Sequence, residues 1–174
     1  MFSLYVLAQF DDLLAREGER FEAVVLGGAA LLLTHVHARA TRDVDVLDPE
    51  IPARVEELAR ALARQLPELD EDWLNAGPCT LATCLEEGWR ERLVPAYQGR
   101  ALVLRALGRQ DLLATKLFAM CDRQVDWQDC VALAPTPAEL ARALPWVAAQ
   151  DAHPDWPAYV RRRFEALARH LQGP

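Results

Sequence analysis

Val24-Val25-Leu26-Gly27-Gly28-Ala29-Ala30, followed by Arg39-Ala40-Thr41-Arg42-Asp43-Val44-Asp45-Val46-Leu47, decides how the rest of the chain is read. An apolar run closes on two glycines, a segment rich in alanine and leucine follows, and a second apolar run carries two aspartates. Residues two apart on a strand share a face, so a strand from Asp43 to Leu47 sets both carboxylates side by side and turns Val44 and Val46 into a core. Paired carboxylates beside a glycine turn, where backbone N–H groups meet a helix start, suit a divalent metal and phosphate.

Working outward, Ser3 is placed to cap a first helix with Leu7, Phe10, Leu13 and Leu14 at helical spacing, ending near Gly18. Phe21 to Leu26 reads as a buried strand and Ala29 to His37 as a compact helix. Asp48-Pro49 stops the second strand. Val55, Leu58, Ala59, Leu62 and Leu66 then form one stripe of an amphipathic helix opened by Pro52. Between 72 and 104 the pattern gives a short strand at 72–75, a turn at 76–78, loop with a helical turn through 93, and a strand at 102–104. From Arg109 on, the chain reads as helical. One helix carries Leu112, Leu113, Leu117 and Met120 with Lys116 among them, and a second helix or kinked extension covers 122–134. Thr136-Pro137-Ala138-Glu139 spells a capping box, and a last helix runs from Asp155 to Gly173. The expected architecture is α/β, a mixed sheet flanked by helices over 1–108, with a helical C-terminal part over 109–174 packed on it.

Composition narrows the function classes. The 174 residues are 52% apolar, enough for a substantial core in a chain of about one domain. A formal charge of −7 argues against a general nucleic-acid coat and leaves room only for a local basic patch. Cys79, Cys84, Cys121 and Cys130 lack zinc-site spacing and read as reduced thiols. The N-terminal stretch has no basic region of the signal-peptide kind, and no run is long enough to span a bilayer, so the expected location is cytoplasmic, with no membrane partner.

The glycine turn, one short helix and an Asp-x-Asp strand together resemble the DNA polymerase β-like nucleotidyltransferase superfamily, with Gly27-Gly28 and Asp43-Val44-Asp45 on its motif. Arg39 and Thr41 resemble the lead-in of toxin-type minimal nucleotidyltransferases. Lys116, Arg123, Asp126 and Asp129 resemble the helical part of AbiEii-like toxin nucleotidyltransferases, with Val125 where a lysine is usual. With Gly88-Trp89-Arg90-Glu91-Arg92-Leu93 and Gln150-Asp151, nearly the whole chain resembles an uncharacterised bacterial nucleotidyltransferase family known only as a domain of unknown function. The resemblance implies a minimal nucleotidyltransferase fold and transfer of a nucleoside monophosphate from an NTP to a tRNA or protein acceptor. It also implies a toxin–antitoxin or phage-defence setting with an antitoxin partner. By the same resemblance Asp43 and Asp45 hold Mg²⁺, and Gly27, Gly28, Thr41, Arg42, Lys116 and Asp129 bind the nucleotide. The fuller pattern has a third carboxylate on a neighbouring strand. Trp73-Leu74-Asn75 and Ala101 to Leu104 carry no acid, which makes Asp126 the candidate replacement. The alternative is a catalytically inactive nucleotide- or partner-binding module of the same fold.

Other motifs carry less. His35 and His37 diverge on a helix and have no third ligand, so capping or solvent-facing roles suit them better than metal. Arg163 and His170 loosely resemble the ribonuclease motif of HEPN toxins, but Phe164 stands where a polar residue belongs. With Arg161 and Arg162 that segment reads as a basic helix face able to receive an RNA or protein acceptor. Trp127, Trp146 and Trp156 read as core anchors of the helical part.

Overall fold

A computed structural model describes residues 3–36, 41–67 and 69–173. The chain divides into two compact units, 1–108 and 109–174. The first is a five-stranded mixed sheet with helices, and the second consists of helices, in agreement with the α/β class expected. Arg39 and His37 lie outside the described residues.

In the first unit, β1 (Phe21–Leu26) occupies the middle of the sheet, whose order is β3-β2-β1-β5-β4. Five of its six residues are buried, as a central strand covered on both faces requires. It runs antiparallel to β2 (Val44–Asp48) and parallel to β5 (Leu102–Ala106). β3 (Leu74–Asn75) extends the sheet beyond β2 in parallel, and β4 (Val94–Gln98) closes the other edge antiparallel to β5. Strand β4 has no counterpart in the sequence reading, because Pro95 breaks the pattern. Proline lacks the N–H of a ladder and is tolerated on an edge, which is where β4 lies.

Helix α1 (Leu4–Arg16) buries Val6, Leu7, Phe10 and Leu14 against α3 (Ala53–Ala63) and β5. Ser3 is its N-cap, yet the Ser3 carbonyl accepts from the backbone of Val6 and Leu7 while the hydroxyl makes no cap bond. Phe10 meets Trp73 edge-on, with centroids 5.2 Å apart, and the Trp73 indole N–H donates to the Ala59 carbonyl at 3.0 Å. One tryptophan thereby ties α1, α3 and the start of β3 together. The stretch 77–83 forms a 3-10 helix, where a turn at 76–78 and then loop with a helical turn through 93 were expected.

Asp11 fixes α1 to the β4–β5 turn. Its carboxylate accepts from the backbone N–H groups of Arg100, Ala101 and Leu102 at 3.1, 2.8 and 2.8 Å. A side chain at Gly99 would run into that carboxylate. Burial alone would raise the Asp11 carboxyl, but the three N–H donors and the charge of Arg100 bring it below its ordinary value.

In the second unit, α4 (Arg109–Asp122) and α5 (Trp127–Leu133) are separate helices. Gln124 and Asp126, both at positive φ, lie in the link between them. The capping box of α6 (Pro137–Ala148) is formed as the sequence indicates: the Thr136 hydroxyl accepts from the Glu139 N–H, and the Glu139 carboxylate accepts from the Thr136 N–H. Arg109 also bonds Glu139, at 2.7 Å, and together with the cap it holds the Glu139 carboxyl down at about 2. The Trp156 N–H donates to the Val147 carbonyl and docks α7 (Trp156–Gln172) on α6.

Asp11→Asn removes a charge that three backbone donors, two of them buried, converge on, and should cost about 2 kcal/mol at pH 7. Because the folded carboxyl titrates below the unfolded one, this contribution is complete above the ordinary value of 3.8 and fades as the pH falls through the lower folded value. Urea unfolding of both proteins should show the gap narrowing from pH 7 to pH 3; an equal gap at the two pH values would contradict the assignment.

Candidate functional site

The first candidate centre belongs to the unit of residues 1–108. Strand β1 ends at Leu26 and the chain enters α2 (Gly27–Leu33) at the glycines themselves, two residues earlier than the sequence reading placed that helix. Gly27 has φ +73°, a conformation open to glycine and costly for residues with a Cβ. A Cβ there would lie 2.5 Å from Asp45 Oδ2, and a Cβ on Gly28 would lie 2.8 Å from Thr41 Oγ1. The missing side chains are the space that Asp45 and Thr41 fill.

Asp45 lies within β2, half-buried, opposite Leu26 of β1. Asp43 is exposed and precedes the strand by one residue; β2 begins at Val44 and includes Asp48, one residue later at each end than the alternation suggested. The Thr41 hydroxyl donates to Asp43 Oδ1 at 2.8 Å, so the residue against Gly28 also orients the first carboxylate. Val44 and Val46 are fully buried on the opposite side, as the alternation required. Arg42 is exposed beside Asp43. Gly27, Gly28, Thr41, Asp43 and Asp45 therefore form one cluster built on the glycine turn.

Asn75 was not among the sequence candidates. Parallel pairing in β3 sets it in register with Asp45, on the same face of the sheet. Its Oδ1 accepts from the Gly77 N–H at 3.1 Å. The short strand at 72–75 was expected, but its pairing with β2, which sets Asn75 beside Asp45, is not local and is seen only in the sheet.

The second centre belongs to residues 109–174. Lys116 of α4 is 5% exposed and bonds Asp126 at 3.1 Å and Asp129 at 2.7 Å. The two aspartates are buried as well, Asp129 completely. The three residues the sequence grouped are thus in contact, as an interior ion triad and not as a snorkelling surface lysine with two neighbours. Burying a charge is tolerable only with such partners, and the triad ties α5 to α4. Nearby, burial pushes the Cys121 thiol up to about 11 and Cys130 to about 12, which keeps both protonated and unreactive at neutral pH.

A family model described as a nucleotidyltransferase of unknown function (DUF6036) matches residues 3–134. The chain belongs to this family. The DUF6036 match takes in the whole sheet, the glycine–aspartate cluster, and α4 and α5 with the Lys116 triad. Helices α6 and α7 fall beyond it. No curated protein and no solved structure matches the chain. Among the described residues no helix is long and apolar enough to cross a membrane.

Two substitutions separate the backbone demand at Gly27 from its contact. Gly18 has almost the same φ, +75°, with open space around a Cβ. Gly18→Ala should cost about 1 kcal/mol, the left-handed backbone term alone, and Gly27→Ala clearly more, because Asp45 must move as well. Equal losses in thermal or urea unfolding would mean that the Asp45 contact carries no energy. For the triad, Lys116→Met leaves two carboxylates buried without their ammonium and should destabilise the fold by about 3–5 kcal/mol. A surface lysine would give a change near zero in the same measurement.

Proposed function

We propose that the chain transfers a nucleoside monophosphate from an NTP to a hydroxyl of an acceptor, with Asp43 and Asp45 at the reacting centre. The observation carrying this reading is the packing of the Gly27-Gly28 turn against Asp45 and Thr41, which holds two carboxylates at the mouth of a glycine turn. Membership of a nucleotidyltransferase family supports it.

The donor set fits Mg²⁺. Asp43 and Asp45 offer two carboxylate oxygen donors; among the described residues no group of three or more His, Cys, Asp or Glu is placed to hold a metal ion. Mg²⁺ suits such a site, since it takes one or two protein carboxylates and completes its shell with substrate phosphates and water. When bound, it supplies charge neutralisation at the triphosphate.

The protein's own groups then have separable tasks. Asp43, oriented by the Thr41 hydroxyl, and Asp45, seated against Gly27, present their oxygens together. Arg42 offers a planar donor set to phosphate oxygens. The acceptor hydroxyl attacks the α-phosphorus, a new P–O bond forms, the bond to pyrophosphate breaks, and the hydroxyl proton must leave. By the family resemblance we assign that proton to Asp126 and a triphosphate contact to Lys116, with Asp129 holding the lysine. In the structure Asp126 and Lys116 are bonded to one another, so these roles require their contact to open on substrate. A tRNA or protein acceptor, and a toxin–antitoxin or phage-defence role with an antitoxin partner, are carried forward on the same resemblance.

A second reading rests on Asn75. An amide in register with Asp45, and not an acid, suits a module that binds nucleotide without chemistry.

Incubation with each α-labelled NTP, Mg²⁺, total tRNA and lysate protein distinguishes the two. The transferase reading expects labelled acceptor with wild type and at least about a 100-fold loss in Asp43→Ala and in Asp45→Ala, both folded. NTP binding without transfer in wild type, and label appearing only in Asn75→Asp, would establish the binding module instead.

A further inference from the structure

Four arginines lie on α7, Arg161, Arg162, Arg163 and Arg169, against one acid, Glu165. Elsewhere in this unit the basic side chains are spoken for: Arg109 pairs with Glu139, Lys116 with its two aspartates, Arg123 with Asp126, and Arg142 bonds Gln110. The α7 arginines make no ion pair among the described residues. In a chain of formal charge −7 this is a local concentration of unneutralised cations.

Helical geometry organises them. Arg162 and Arg169 are seven residues apart, two turns or about 10 Å along one exposed stripe. Arg163 and His170 repeat that spacing one residue on, and both reach Trp127 of α5. The Arg163 guanidinium lies over the indole at 5.3 Å from its centroid, and the His170 ring meets it edge-on at 5.7 Å. Arg163 Nε is buried with no hydrogen-bond partner among the described residues, and the guanidinium packs on the indole. Trp127 is half-buried where a core anchor would be enclosed, and its neighbour Val125 is 44% exposed. The surface is therefore a half-buried indole with Arg163 over one face and His170 at its edge, next to a row of exposed arginines.

We propose that α7 and Trp127 form a binding surface for a single-stranded polynucleotide. Arg161, Arg162 and Arg169 take backbone phosphates, and Trp127, held by Arg163 and His170, stacks an unpaired base. Exposed cations lacking intramolecular carboxylates are what phosphates require, and an aromatic face beside them is how unpaired bases are held irrespective of sequence. A duplex hides its base faces and would use only the arginines. The surface lies on α7 beyond the family match, apart from Trp127 itself, and it does not depend on the transfer reaction.

Fluorescence anisotropy with labelled 12-nucleotide single strands of RNA and DNA, and a matched duplex, tests this on the full chain without NTP. Three phosphate contacts predict a log–log salt slope near −2, a loss of roughly 20-fold between 50 and 200 mM salt. Arg162→Ala/Arg169→Ala, both exposed and outside the core, should reduce the slope by about 1.4. Trp127→Ala should weaken single strands about tenfold with the slope unchanged, and leave the duplex unaffected. Asp43→Ala/Asp45→Ala should bind like wild type, so a failure of the transferase reading would leave this result standing. The proposal is overturned by absence of binding at 50 mM salt, by an unchanged slope in the arginine variant, or by a polyglutamate peptide competing as well as RNA. The last outcome would make the face a protein-docking surface. If Trp127→Ala unfolds, the arginine variant still decides the question.

Discussion

There is no room for a Cβ at Gly27 or Gly28, and the candidate catalytic cluster depends on that fact. Oxygen atoms of Asp45 and Thr41 occupy the space a side chain would need, and Thr41 passes the constraint to Asp43 through its hydroxyl. The central strand β1 delivers the glycines to this point, and the antiparallel pairing of Leu26 with Asp45 brings the strand with the carboxylate alongside. A turn that had to bend at positive φ and an acid that had to sit close to backbone are thus met by the same residue.

A second constraint acts in the helical unit. Lys116, Asp126 and Asp129 place one positive and two negative charges in the interior, where the ammonium bonds both carboxylates and Arg123 also lies 3.8 Å from Asp126. The link between α4 and α5 takes a left-handed conformation at Asp126, and the carboxylate there meets the ammonium. Whatever the triad does toward substrate, it first determines how α5 joins α4. Interior carboxylates elsewhere follow the same logic. Asp11 is buried because three backbone donors await it, and its hold on the β4–β5 turn depends on its remaining charged.

Family membership and geometry make different contributions. The match to a nucleotidyltransferase family covers both polar centres and gives the reaction class its support, while it says nothing of acceptor or partner. The position of Asn75 beside Asp45 bears on whether chemistry occurs at all, because an amide can ligate but cannot take a proton as a carboxylate does. The α7 arginines, which make no ion pair among the described residues, lie outside the matched region.

Much of this was legible in the chain itself. The glycine pair, the alternation through Val44 and Val46, the capping box at Thr136 and the helical stripes are local patterns, and local patterns survive because each rests on contacts a few residues apart. What escaped depended on edge position, backbone φ or long-range pairing. Strand β4 was hidden by Pro95, which an edge position excuses, and the entry of α2 at Gly27 was obscured by a φ no composition reports. The pairing of Asn75 with Asp45 spans 30 residues, so only the folded sheet could disclose it. Likewise, the sequence could place Lys116 among apolar neighbours and set aspartates after it, but whether that lysine reached water or carboxylate was decided by tertiary packing, since burial is a property of what other segments cover.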